Sequence, residues 1–309
     1  MPSPRILALK IDVDTDRGTR EGVPRLVDML RRHRAGATFL FSVGPDHTGR
    51  ALKRVFRPGF LTKVSRTSVV EHYGLRTLLY GTLLPGPDIG RRNADLMRSV
   101  RDAGYETGIH TYDHVKWQDY VADRDASWTR REMLLASDGY ATVFGERART
   151  HGAAGWQMNT HAFRLTEELG FRYASDTRGT HPFVPVCDGM PVNCPQLPTT
   201  LPTLDELIGR DGITAGNVHE HLLGLTQASR PTGHVFTLHA ELEGQKLAPV
   251  FDALLTGWKA QGYILSSMAD YARCAMSAPL PHHAVIRGTV CGRSGMLAAQ
   301  GEKVDIAGG

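Results

Sequence analysis

Five side chains able to bind a metal or carry a proton stand at three places where apolar runs end. The run 6–11 ends in Ile11-Asp12-Val13-Asp14-Thr15. Two carboxylates two residues apart on an extended chain point the same way. Taken alone, that pair is better explained as turn or cap chemistry. The second place is His110-Thr111-Tyr112-Asp113-His114, directly after the apolar stretch 105–109. Read as one helical turn, His at i and i+4 share a face and can bind one metal. The third is Phe236-Thr237-Leu238-His239. Any one of these is weak evidence, but three independent strand ends bearing such residues are hard to assign to chance. In α/β barrels the active site lies at the C-terminal ends of the strands, so Asp12, Asp14, His110, His114 and His239 are expected to converge there.

The elements that must position them read as alternating strands and helices. Strands are expected at 6–11, 37–43, 105–109, 171–175, 235–238 and 263–265. Helices are expected from Gly18 onward and at 92–103, 128–144, 162–169 and 250–260. This alternation predicts an α/β fold with a parallel sheet. Residues 50–92 give no clean reading, and the proline-rich stretch 185–202 reads as an irregular loop over the barrel. We expect one domain over 1–276, with 277–309 as a tail on or near it.

Composition narrows the function classes. The chain has 309 residues, 41% hydrophobic and 22% charged, with a net charge of +4. That is a globular balance, too mildly basic to indicate a nucleic-acid partner. Cys187, Cys194, Cys274 and Cys291 lack C-x-x-C spacing and read as free thiols. No signal-peptide pattern and no membrane span are evident, so a cytoplasmic chain, in solution or on a membrane surface, is expected. His219-Glu220-His221 is not a zincin motif, because Leu223 replaces the second His. His282-His283 reads as solvated. No Walker, G-x-G-x-x-G or G-x-S-x-G sequence occurs.

With these residues in hand, the sequence resembles the polysaccharide deacetylase (NodB-homology) family. Asp12 and Asp14 match its first motif, His110 to His114 its H-[ST]-x-x-H motif, and Leu238-His239 its last. Longer stretches, among them IDVDTDRGTREGVPRL, FSVGPDHTGR, SDTRG and TLHAELEG, resemble a branch that deformylates lipid-linked formamido sugars. The resemblance implies a distorted (β/α) barrel of seven strands. It implies Asp12 as base, Asp14, His110 and His114 as metal ligands, and His239 as acid. Zinc suits such a His2Asp set, with cobalt, manganese or nickel as alternatives. It also implies a 4-formamido-L-arabinose on an undecaprenyl phosphate carrier as substrate. The setting would be lipid A modification at the cytoplasmic face of the inner membrane, with a role in polymyxin resistance. A backbone N–H near Trp156 would be a second oxyanion donor. The family's third motif carries an Arg that orients the base, but here the sequence is Gly152-Ala153-Ala154-Gly155-Trp156. Arg178, just after Asp176, is a candidate replacement.

Between residues 50 and 92, nine basic side chains (Arg50, Lys53, Arg54, Arg57, Lys63, Arg66, Arg76, Arg91, Arg92) face only Glu71 and Asp88, a net of +7. The rest of the chain is therefore slightly acidic. Large apolar residues such as Phe56, Phe60 and Leu61 interleave with the basic ones. By composition alone this is better read as a solvated basic loop. A substrate whose tail stays in the bilayer favours docking on an anionic membrane instead. Arg17 and Arg20 could then hold the lipid phosphate. Two other functions compete: deacetylation of peptidoglycan or chitin-like oligosaccharides, and non-catalytic carbohydrate or lipid binding on the same barrel.

Overall fold

The structure, a computed structural model, describes residues 5–51 and 75–305. Lys53, Arg54, Arg57, Lys63 and Arg66 of the basic stretch lie outside the described residues. Strand β1 (Ile6–Val13) is the centre of the main sheet. Its odd positions Leu7, Leu9, Ile11 and Val13 are fully buried among core apolar residues. Its even positions Lys10 and Asp12, with Asp14 just past its end, are buried too, on the opposite face by the two-residue period. A strand covered on both faces belongs in a parallel sheet layered with helices.

The chain continues through a π turn, Gly18–Gly22, into α1 (Val23–His33). Then come β2 (Thr38–Ser42), α2 (Leu75–Leu79), α3 (Ile89–Asp102), β3 (Glu106–Thr111) and α4 (His114–Tyr120). Next are α5 (Ala126–Phe144), β4 (Thr150–His151), α6 (Thr160–Glu168) and β5 (Tyr173–Ala174). After them follow β6 (Val184–Cys187), β7 (Met190–Pro191), α7 (Leu204–Leu207), α8 (Val218–Leu225) and β8 (His234–His239). The chain ends with α9 (Ala248–Ala260), β9 (Ile264–Ser266), α10 (Met268–Ala275), β10 (His282–Gly288) and β11 (Leu297–Lys303). The main sheet has seven strands in the order β5-β4-β3-β2-β1-β8, with β9 also on β1. Every pairing in it is parallel. It curls into an open half-barrel.

Three expectations need correction. The stretch 185–202 is not wholly irregular: β6 and β7 join β10 and β11 in a second, four-stranded sheet. His283 is not solvated but buried in β10, where it meets His181 at 3.1 Å and the Gly301 carbonyl at 2.9 Å. The weak periodicity of both segments reflects a sheet that covers the barrel and pairs partners far apart in sequence. Third, His110 and His114 do not share a helical turn. His110 lies near the end of β3 and His114 opens α4. All four cysteines are free; burial pushes the Cys187 and Cys194 thiols up to about 12.

His234 opens β8 with its Nε2 buried and without a hydrogen-bond partner. Burial, aided by Arg230 and Arg5, lowers its pKa to about 4. The folded state therefore binds this proton less readily than the unfolded chain. That contribution to stability is complete above about pH 6.5 and is lost as pH falls toward 4. Relative to His234→Gln, the wild-type melting midpoint should drop between pH 7 and pH 5 by the equivalent of about 1 kcal/mol. Parallel pH profiles for the two proteins would contradict this.

Candidate functional site

Register builds the site. Asp12 on β1 is the direct partner of His239 on β8. On the other side of β1, β2 leads to β3, which ends beside His110. Asp113 then caps α4, accepting the Lys116 N–H at 3.0 Å, and also meets His47 Nδ1 at 2.6 Å. An N-cap fixes how the chain enters the helix. It thereby sets His114, the next residue, at the first helical position.

Among the described residues, Asp14, His110 and His114 offer ligand atoms that all lie within 4.8 Å of one another. His110 Nε2 is 3.2 Å from Asp14 Oδ1, and His114 Nε2 is 3.5 Å from Asp14 Oδ2. The other His110 nitrogen, Nδ1, donates to the Gly152 carbonyl at 2.6 Å. That bond fixes the ring and leaves Nε2 facing Asp14, the usual support for a metal-binding His. Asp12 Oδ1 and Asp14 Oδ1 are buried and accept no hydrogen bond. Buried polar atoms are rarely left so, unless an ion or water completes them.

The electrostatics agree. Burial disfavours charge on Asp14, yet His114, His110 and His239 outweigh it and hold its pKa below the usual carboxylate range. Burial likewise opposes charge on His110, but Asp12 and Asp14 raise its pKa above normal. A pocket whose carboxylates favour a proton on a buried imidazole favours any cation between them. The donor set therefore fits a divalent metal ion with open positions. His114, the most exposed of the three at 20%, marks the open side.

Several residues that sequence reasoning passed over shape this centre. Glu241 is buried and its Oε1 accepts from Asp14 N–H at 3.1 Å, Thr15 N–H at 2.9 Å and Thr15 Oγ1 at 2.8 Å. Glu243 accepts the His239 N–H at 2.8 Å; burial pushes its pKa up to about 7, against the pull of His239. Lys10 is fully buried, 3.3 Å from Asp12 Oδ2. The pattern Lys10-x-Asp12-x-Asp14 was the available signal, since period two puts all three on one face.

Other expected site residues lie elsewhere in the wall. Asp176 is fully buried and accepts from His151 Nδ1 at 2.7 Å and Ala153 N–H at 2.9 Å. It braces the turn at 152–156. Arg178 pairs not with Asp176 or Asp12 but with Glu206 at 2.6 Å, and donates to the Leu201 carbonyl at 3.1 Å. Arg178 is thus not the substitute for the missing Arg. Trp156 is buried beneath three cations, Arg293, Arg178 and Lys10, at 4.3, 4.9 and 5.2 Å from its ring. Its N–H is spent on the Ala153 carbonyl at 3.0 Å, and the Gln157 N–H on Ala154 at 3.1 Å. Neither is left to receive an oxyanion, because the turn consumes both. Arg17 pairs with Glu21 at 2.9 Å. Arg20 and Arg92, both 45% exposed, share the buried Asp16 carboxylate at 3.0 and 3.3 Å.

Comparison with known proteins decides the family. The polysaccharide deacetylase profile matches residues 5–174, a span that includes Asp12, Asp14, His110 and His114. The chain belongs to the polysaccharide deacetylase family. It is 40% identical over 250 residues, 81% of this chain and 80% of the relative, to the "Probable 4-deoxy-4-formamido-L-arabinose-phosphoundecaprenol deformylase ArnD" of Shewanella sediminis. The protein of the same name from Wigglesworthia glossinidia brevipalpis is 29% identical, across 92% of this chain and 98% of the relative. Among solved structures, a polysaccharide deacetylase from Mycobacterium smegmatis superposes with a TM-score of 0.61 at 17% identity, covering 94% of this chain and 97% of that one. Puue allantoinase does so at 0.59 and 16%, covering 88% and 91%. These two share the fold.

Gly18 sits where an added Cβ would fall 1.9 Å from Glu241 Oε1. Gly18→Ala should displace that carboxylate from Asp14 and Thr15. We expect a loss of about 1–3 kcal/mol in stability and a ~10–100-fold weaker metal affinity. Denaturant melts and metal titration of the purified protein check both; wild-type metal affinity would refute the bracing role of Glu241.

Proposed function

We propose that the protein hydrolyses the formamide of 4-deoxy-4-formamido-L-arabinose carried on undecaprenyl phosphate. The products are formate and the free 4-amino lipid, a step in lipid A modification and polymyxin resistance. The observation that carries this reading is the pairing of Asp12 with His239 across adjacent strands, beside the Asp14–His110–His114 set. It stands with the 40% identity to a relative bearing that activity in its name.

Asp14, His110 and His114 would hold the ion, for which zinc is the proposal from the ligand types. Such an ion supplies Lewis acidity toward a carbonyl oxygen and toward water. Asp12 accepts the proton of the water that attacks the formyl carbon. His239 then donates a proton to the departing nitrogen, without which the amide anion is a very poor leaving group. Carbon–oxygen bond formation and carbon–nitrogen cleavage thus leave formate and an amine, with every proton accounted for.

The lipid carrier accounts for two further features. Arg20 and Arg92 present half-exposed guanidinium groups anchored on Asp16, two residues after Asp14 in the sequence. They suit a phosphate better than Arg17, which is turned to Glu21. The basic and apolar residues of 50–92 suit an anionic bilayer surface, at the cytoplasmic face in this reading. Among the described residues no helix is long and apolar enough to cross a membrane, which accords with surface docking.

Formate release from the purified lipid-linked sugar is the direct test. Asp12→Asn should lower kcat by ~10²–10⁴-fold, and Arg20→Ala should raise KM about tenfold with little change in kcat. Acetate release from chitin or peptidoglycan fragments, without formate release from the lipid, would overturn the assignment. A second measurement addresses docking. Flotation with anionic liposomes should carry the wild type upward and leave behind a variant with Lys53, Arg54, Arg57 and Lys63 neutralised. Equal flotation of both would dismiss the basic stretch as the docking surface.

A further inference from the structure

Lys10 is the most unusual charge in the molecule. It is fully buried in the central strand, and an ammonium removed from water costs several kcal/mol unless it is paired. Its Nζ lies 3.3 Å from Asp12 Oδ2, donates to the Ser175 carbonyl at 3.1 Å, and stands over the Trp156 ring at 5.2 Å. Because residues 10 and 12 share a face of β1, this pairing is built into the strand itself.

The opposite wall is shaped to receive it. Gly152 stands in the segment that matches the family's third motif, where the Arg is missing. A Cβ on Gly152 would fall 2.9 Å from Lys10 Cε, 3.3 Å from Lys10 Nζ and 2.4 Å from Leu40 Cδ1. A side chain at 152 and the lysine at 10 therefore compete for one space. Arg178, the other candidate cation, is committed to Glu206.

We infer that Lys10 is the positioning residue for Asp12, supplying from β1 the cation that this family brings from its third motif. Lys10 holds Oδ2. Oδ1, buried, without a hydrogen bond and 3.7 Å from His110 Nδ1, is left as the oxygen that meets the attacking water. Lys10 acts through the carboxylate. The inference rests on the reading of Asp12 as base given above.

The test compares wild type, Lys10→Met and Lys10→Arg, each purified and loaded with zinc, by formate release, metal stoichiometry and melting midpoint. Lys10→Met keeps the length of the side chain and removes the charge. It should lose about 100-fold or more in kcat, with KM within threefold and one metal still bound. Lys10→Arg should recover at least tenfold of that loss. If Lys10→Met does not fold, Lys10→Gln takes its place, uncharged and polar; a fall in kcat at full metal content supports the inference and an unchanged kcat overturns it. A Lys10→Met enzyme within threefold of wild type, or a folded, metal-loaded Lys10→Arg no better than Lys10→Met, also overturns it. A wild type that releases no formate overturns this inference together with the proposed function. An active wild type with indifferent Lys10 variants overturns this inference alone.

Discussion

Three ionisable side chains on one face of one buried strand set the terms for everything around them. Lys10, Asp12 and Asp14 are each less than a tenth exposed. Charges removed from water persist only where other charges and dipoles compensate them. Around this strand the compensation is visible piece by piece. Lys10 answers Asp12, His110 and His114 answer Asp14, and the Ser175 carbonyl takes a proton of Lys10. Even so, Oδ1 of each aspartate is buried without a hydrogen bond, beside a donor set that fits a cation. The same balance that lets the strand fold thus leaves a defined deficit at its end.

A second ring of interactions holds the first in place. Glu241 clamps the backbone just past Asp14, and the Gly152 carbonyl orients His110. Asp113 caps the helix that presents His114. Asp176 fixes the turn that contains Gly152 and Trp156. Each brace is a hydrogen bond to backbone; the Gly152 carbonyl fixes the His110 ring, and the others constrain the path of the chain. Precision at a site of this kind comes from such supporting bonds as much as from the ligands.

Much of this was legible in the sequence, and the parts that were not share a cause. The parallel sheet, the ends of β1, β3 and β8, and the convergence of Asp12, Asp14, His110, His114 and His239 follow from local patterns of apolar runs and polar terminators. The second sheet was missed because β6 pairs with β10 and β10 with β11, and each strand alone is short or mixed in polarity. Lys10 was passed over because a single Lys in an apolar run looks like an interruption, and its burial is explained only by partners that the fold brings to it, Asp12, the Ser175 carbonyl and the Trp156 ring. Arg178 was misassigned because adjacency to Asp176 in sequence says nothing of where a guanidinium points; its partner Glu206 stands on α7. Spacing reveals which side chains share a face, but not which distant carboxylate claims a cation.

The hairpin of β10 and β11 has a consequence in time as well as in space. Residue 178 exchanges backbone hydrogen bonds with Ala298 and Gln300, and Arg293, from the connection between the two strands, lies on Trp156 and bonds Glu206 at 2.6 Å. The wall behind the Asp12 carboxylate is therefore finished by a hairpin that is made long after the strand carrying Asp12. Domains form as the chain emerges, N-terminal portions first. A nascent chain can bring together the strand ends that carry Asp12, Asp14 and His110 while Glu206 still lacks one of its two arginines and Trp156 one of its covering cations. Closure of that wall therefore trails the emergence of the strands that carry Asp12, Asp14 and His110.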